Sequence, residues 1–146
     1  MSVVIRFRRL DPRARIPSRG TPGSAGFDLT ACLDSPLVLE PGSVGLVATG
    51  LAVAIPPGYE GQVRARSGLA LKHAIAVLNG PGTIDSDYRG PLGVILANHG
   101  RAPYTLEDGA RIAQLVIARV PEVTWEEVDV LPDSQRGEGG FGHTGM

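Results

Sequence analysis

Val3, Ile5 and Phe7 alternate with Val4, Arg6 and Arg8, a period of two that predicts an opening strand with one buried face. Comparable runs predict strands over residues 27–32, 43–48, 51–55, 59–64, 92–98 and 112–120. Turn signals punctuate them at Pro41-Gly42, Pro56-Pro57-Gly58 and Asn79-Gly80-Pro81-Gly82. Only residues 67–74 carry a helical signal, with Ser67 as N-cap ahead of the good helix formers Leu69, Ala70, Leu71 and Lys72. Short strands without long amphipathic helices between them predict an all-β fold: an antiparallel sandwich, jelly roll or barrel with one short helix. LGVILA and IAQLVIA, in the last two strands, are apolar on nearly both faces, which predicts another sheet or subunit against the outer one.

The final stretch breaks this pattern. RGEGGFGHTG, residues 136–145, sets Arg136 and Phe141 among five glycines, too little apolar surface to build a core. A flexible arm with one flat apolar face and one fixed positive charge suits a planar anionic ligand, and a nucleotide is the obvious case. The predicted organisation is one β domain over residues 1–131 and a flexible Gly-rich C-terminal arm over 132–146 that closes over the site.

With 146 residues, 42% of them hydrophobic, the chain can bury one core and is too short for two ordinary domains. Its 20 glycines and 12 prolines approach the range of disordered chains, but the apolar content fits tight turns between short strands instead. Fourteen basic against 15 acidic side chains leave a formal net charge of -1, without the footprint of a duplex-binding protein. No nucleic-acid partner is expected, and any phosphate site must be local. Cys32 is the only cysteine, which excludes an intrachain disulfide framework and a cysteine zinc cluster and favours a reducing compartment. Arginines interrupt MSVVIRFRRL before it could serve as a signal sequence, and no run approaches the roughly 18 apolar residues of a bilayer span. A soluble, cytoplasmic protein without a membrane partner is expected.

Candidate chemistry concentrates in four further segments. GQVRARSGLALK brings Arg64 and Arg66 onto one strand face and then turns at Ser67-Gly68 into the helix. Backbone N–H groups, a hydroxyl and a guanidinium together make an anion site; the alternative is two solvated arginines and a plain cap. In NGPGTIDSDYRG, Thr83, Ile84, Asp85 and Tyr88 frame a Ser86-Asp87 turn, as at the tip of a hairpin. Asp85 and Asp87 there are either turn residues or, for Asp85 beside an aromatic, a base that deprotonates a water. SAGFDLTA places Asp28 on a strand, as an exposed carboxylate or as a second acid that positions the first. GARIAQ places Arg111 and Gln114 three apart, and Gln114 within an apolar run requires a hydrogen-bond partner, from protein or ligand.

Phosphate-ester hydrolysis needs a placed water, a base, cations over the phosphates and usually a divalent metal. The chain offers the first three and no dedicated metal cage; magnesium riding on substrate phosphates needs none. His73, His99 and His143 form no zinc-type spacing, and no P-loop, dinucleotide fingerprint or nucleophile elbow occurs. A single cysteine also rules out the zinc-deaminase pattern.

Taken in order, AGFDL, RSGLA, NGPGTIDSDYRG, GARIAQ and RGEGGFGHTG closely resemble the five motifs of the trimeric dUTP pyrophosphatases, the dUTPases, from residue 24 to residue 145. Five ordered matches are far more specific than any one. The resemblance implies a jelly-roll homotrimer that hydrolyses dUTP to dUMP and pyrophosphate, with Mg2+ on the triphosphate and active sites at subunit boundaries. It makes Asp85 the catalytic base and Asp28 its supporting carboxylate. Asn79 and the backbone of Gly82, Thr83 and Ile84 would read the uracil edge, and Tyr88 would pack under the deoxyribose and leave no room for a 2′-hydroxyl. Arg66, Ser67, Gly68 and Gln114 would contact the phosphates. From the arm, Phe141 would stack on uracil while Arg136, Gly142, His143 and Thr144 approach the phosphates.

Two positions depart from the motifs: Ala110 stands where an acidic residue is usual beside Arg111, and Ala65 replaces a proline before the RSG triplet. The rival within the fold is a dCTP deaminase, from which the arm and Tyr88 point away. The rival from another class is a non-catalytic nucleotide-binding protein, which would not need Asp85.

Overall fold

The computed structural model describes residues 2–145. Its elements run β1 (Arg6–Arg9), β2 (Gly26–Thr30), β3 (Leu37–Leu39), β4 (Val44–Ala54), β5 (Tyr59–Arg64), α1 (Ser67–His73), β6 (Ile75–Val77), β7 (Gly82–Ile84), β8 (Pro91–Asn98), β9 (Tyr104–Leu106) and β10 (Arg111–Arg119). All pairings between named strands are antiparallel. One sheet has the order β1-β4-β8-β6, a second β2-β10-β5-β7, and β3 pairs with β9. The expected all-β architecture with one short helix is the architecture found.

Period-two burial explains why the two large sheets face each other. Val47 and Val53 of β4, with Leu92, Val94 and Leu96 of β8, point inward from the first sheet. Leu29, Val63, Ile112 and Leu115 meet them from the second, and all belong to one buried cluster. Among the described residues two polar side chains are buried in this core, each hydrogen-bonded. Asn98 donates to the carbonyls of Leu39 and Ala102 and accepts from Gly100 N–H. Thr49 donates to Leu92 O at 2.6 Å and accepts from Leu51 N–H.

Several boundaries differ from the pattern reading. The first strand is Arg6–Arg9 rather than the Val3–Phe7 alternation, because pairing with Leu51 to Ala54 of β4 begins at Arg6. The two strands expected over 43–48 and 51–55 are one strand, β4, whose register slips between Ala48 and Leu51 where Gly50 takes φ +72°. Strands β3, β6 and β9, each three residues long, are too short to show a period. Ser67 is not the N-cap: Arg66 is, extended at φ −91°, and no side chain caps the helix. The Arg66 side chain reaches instead to Asp28 and the Arg111 carbonyl, which holds its backbone outside the helix. Arg64 and Arg66 accordingly do not share a strand face, since β5 ends at Arg64.

The loop after β1 is tied by charge. Arg13 donates to both carboxylate oxygens of Asp11, to Asp34 at 2.6 Å and to the Leu33 carbonyl. The Arg13 side chain first, and its backbone N–H second, hold the Asp11 carboxyl down to about 2 from an ordinary value of 3.8. A depressed folded value means that the stability tied to this carboxylate is present above pH 3.8 and is lost as pH falls through about 2. In a carbon-detected NMR titration, the Asp11 carboxyl is expected to titrate near pH 2 and to move to the ordinary range in Arg13→Met. A midpoint at the ordinary value in the parent protein would contradict this tie.

Candidate active site

Residues 79–90 were expected to frame a Ser86-Asp87 turn at the tip of a hairpin; the turn is present, but the strands that flank it, β7 and β8, do not pair with each other. β7 pairs with β5 in the second sheet, while β6 and β8 pair in the first, so the chain leaves the first sheet after β6, joins the second through β7 and returns to the first at β8. The crossing opens a cavity of about 580 Å³. Asn79, Gly82, Thr83, Ile84, Asp85 and Tyr88 line it, together with Asp11, Cys32, Ala48 and Gly50. Since β7 is an edge strand, one side of its backbone pairs with Gly61 to Val63 and the other has no strand partner. A Cβ on Gly82 would stand 3.3 Å from Asn79 Nδ2 and from Val63, so a larger residue would crowd this wall.

Asp85 is exposed at the start of a turn closed by Tyr88 N–H donating to Asp85 O at 3.2 Å. The Tyr88 hydroxyl donates to Pro91 O at 2.9 Å, and the ring lies over Gly90, where a Cβ would overlap the phenol. Burial first, then the Asp11 charge, pushes the Cys32 thiol up, so this side chain is a neutral part of the wall.

A second group stands on the β2-β10-β5 face. Gln114 lies opposite Asp28 on one side and Arg64 on the other. The Asp28 carboxylate is 3.5 Å from Arg66 Nε and 3.5 Å from Arg111 Nη1. Gln114 Nε2 donates to Ala65 O at 2.9 Å, which supplies the partner its apolar strand demanded. Gly26 is required by the same side chain, because a Cβ there would overlap the Gln114 amide. Ser67 and Gly68 follow at the helix start, both exposed. Arg64 turns along its own strand to Gln62. Arg111 as the second partner of Asp28 was not among the expected site residues; its position three before Gln114 was the available signal. With Ala110 in place of an acid, Arg111 leans on Asp28.

The third group is the arm. The hydrogen bonds described for residues 134–145 all run within that segment, including Arg136 Nε to Gly139 O at 2.8 Å. Phe141 is fully exposed at φ 50°. Arg136, Gly142, His143 and Thr144 thus lie on a segment bonded only to itself. Among the described residues no side-chain hydrogen bond or ion pair joins the cavity lining, the Asp28 cluster and the arm, although β7 and the Asp28 cluster belong to one sheet through the β5-β7 pairing. Nor do the described residues include a cluster of three or more His, Cys, Asp or Glu able to hold a metal. No helix among them is long and apolar enough to cross a membrane.

The chain is similar to known proteins over nearly its whole length. It is 52% identical over 145 residues to the deoxyuridine 5′-triphosphate nucleotidohydrolase of Syntrophotalea carbinolica, covering 99% of both chains. The dUTPase of Staphylococcus bacteriophage 80alpha with dUpNHpp superposes with a TM-score of 0.89 at 30% identity, over 98% of this chain and 99% of that one. A point mutant of the dUTPase from phage phi11 of S. aureus, which coordinates a structural Mg(II) ion, gives a TM-score of 0.79 at 27% identity over 87% and 97%. The dUTPase family model matches residues 12–145, all five motif segments included, and with these relatives it makes the chain an enzyme of the dUTPase family.

Proposed function

We propose that this enzyme hydrolyses dUTP to dUMP and pyrophosphate, with Asp85 as the base. The observation that carries the reading is the cavity beside β7, which brings a strand edge without a partner and an exposed carboxylate to one wall. Uracil has one N–H between two carbonyls, and a strand edge offers the complementary N–H and C=O groups. Cytosine presents an amino donor where the backbone offers another donor, and the unpaired groups count against it. The Tyr88 ring, held by its bond to Pro91 O, would stand under the deoxyribose and exclude a 2′-hydroxyl.

Asp85 then takes a proton from a water whose oxygen bonds to phosphorus as the α–β phosphoanhydride breaks, and pyrophosphate leaves. Arg66, Ser67, Gly68 and Gln114 would hold the phosphates, and Asp28 positions Arg66 by its ion pair. The donor chemistry fits Mg2+: the carboxylates are dispersed, which suits a hard ion held by phosphate oxygens and water, with Asp28 the protein carboxylate beside the phosphate-holding residues. Bound there, the ion neutralises phosphate charge.

The lack of any side-chain hydrogen bond or ion pair between the cavity lining and the Asp28 cluster, among the described residues, supports a site completed between copies, as in a homotrimer. Residues 121–131 support it independently. Val123, Trp125, Val130 and Leu131 are 64–95% exposed, an apolar run that a lone chain leaves in water. In the cytoplasm, the reaction would keep uracil out of DNA by lowering dUTP and would supply dUMP for dTMP synthesis.

A panel of deoxy- and ribonucleoside triphosphates, read by pyrophosphate release with and without Mg2+, tests the reading. Release from dUTP should exceed that from dCTP, dTTP and UTP by at least about 10²-fold and fall sharply without Mg2+. Ammonia release from dCTP at a comparable rate would replace this assignment with a deaminase.

A further inference from the structure

The turn that carries Asp85 is held by a residue outside the assigned site. Arg89 is exposed and pairs with no carboxylate among the described residues. Its Nη1 instead donates to two main-chain carbonyls, Ser86 O at 2.6 Å and Tyr88 O at 2.9 Å. With the Tyr88 N–H to Asp85 O bond, every peptide plane from Asp85 to Arg89 then carries a hydrogen bond. Exposed bonds of this kind add little to global stability, because water competes for both partners. Their effect is local: they remove the freedom of peptide planes to rotate beneath Asp85.

We propose that Arg89 is a positioning residue that aims the Asp85 carboxylate; this rests on the reading of Asp85 as the base. Misplacing a catalytic group by about 1 Å costs on the order of 10²-fold in rate, whereas substrate contacts made elsewhere are untouched. Loss of Arg89 should therefore appear in kcat and not in binding. Both bonds leave one nitrogen, Nη1, so a single ammonium with three donors can reproduce them where an apolar side chain of similar length cannot.

The test compares Arg89→Met, Arg89→Lys and Asp85→Asn with the parent, measuring kcat, KM for dUTP, affinity for a non-hydrolysable imido analogue of dUTP, and Tm. Arg89→Met should lose about tenfold or more in kcat, with KM and analogue affinity within about threefold and Tm within about 2 °C. Arg89→Lys should return kcat to within about threefold of the parent. A parental kcat in Arg89→Met overturns the proposal, as does an equal loss of kcat and analogue affinity, which would make Arg89 a phosphate contact. Failure of lysine to rescue overturns it as well. If the methionine variant is unstable, Arg89→Ala is read against the same values. An active Asp85→Asn removes the base assignment itself, whereas an inactive Asp85→Asn beside a parental Arg89→Met removes only the clamp.

Discussion

Asp85→Asn is expected to lower kcat by about 10³-fold, roughly 4 kcal/mol, while dUTP still binds. Asparagine keeps the size and hydrogen-bonding reach of aspartate but cannot accept a proton, so the attacking water loses its base and little else changes. The side chain is exposed at the head of a turn whose closing bonds involve only main-chain atoms, Tyr88 and Arg89. None depends on the Asp85 carboxylate, so the variant should fold normally. Pyrophosphate release gives kcat, and calorimetric titration with the imido analogue gives affinity. A turnover within tenfold of the parent would remove Asp85 from the role of base.

Deleting residues 136–146 should be nearly as damaging to turnover, by about 10³-fold, the scale on which a single arginine stabilises charge in phosphoryl transfer. The deletion removes Arg136 and Phe141 together, and with them the proposed cover over the base and the cation beside the phosphates. It should leave Tm unchanged, since the bonds described for residues 134–145 stay within the segment and Phe141 buries nothing. Substrate affinity should also fall, because a stacked ring contributes about 1–3 kcal/mol to holding a base. Full activity of the truncated protein would make the arm dispensable.

Legibility in the sequence followed length and period. Tyr59–Arg64 could be read residue for residue, because Gly61 and Val63 alternate with polar neighbours between clear turn signals. Strands β3, β6 and β9 could not, because three residues carry no period. The site shows the same division. Asp85, Tyr88 and Asn79 were visible as a dense polar cluster within 12 residues, and the cavity contains all three. Asp11 and Cys32, which line the same cavity, were invisible there, since nothing in their local sequence marks them as part of it. Arg89 sat inside a motif segment but resembled any solvated arginine until its two carbonyl partners were located.

The sequence by itself determined the all-β class, the position of the short helix and the chemical character of each motif. Those properties depend on local pattern and on residue type. Tertiary structure alone decided that the 79–90 segment bridges two sheets instead of folding back as a hairpin, because β7 takes its pairing partners from β5, well outside the segment. It also decided that Asp28 binds two arginines, since the pairing of β2 with β10 brings Arg111 beside it and the turn from β5 into α1 brings Arg66. Most consequentially, it divided the motifs into a cavity wall, a charged sheet face and a self-bonded arm. Neighbourhood along the chain carries no information about which of these groups a single folded copy can bring together.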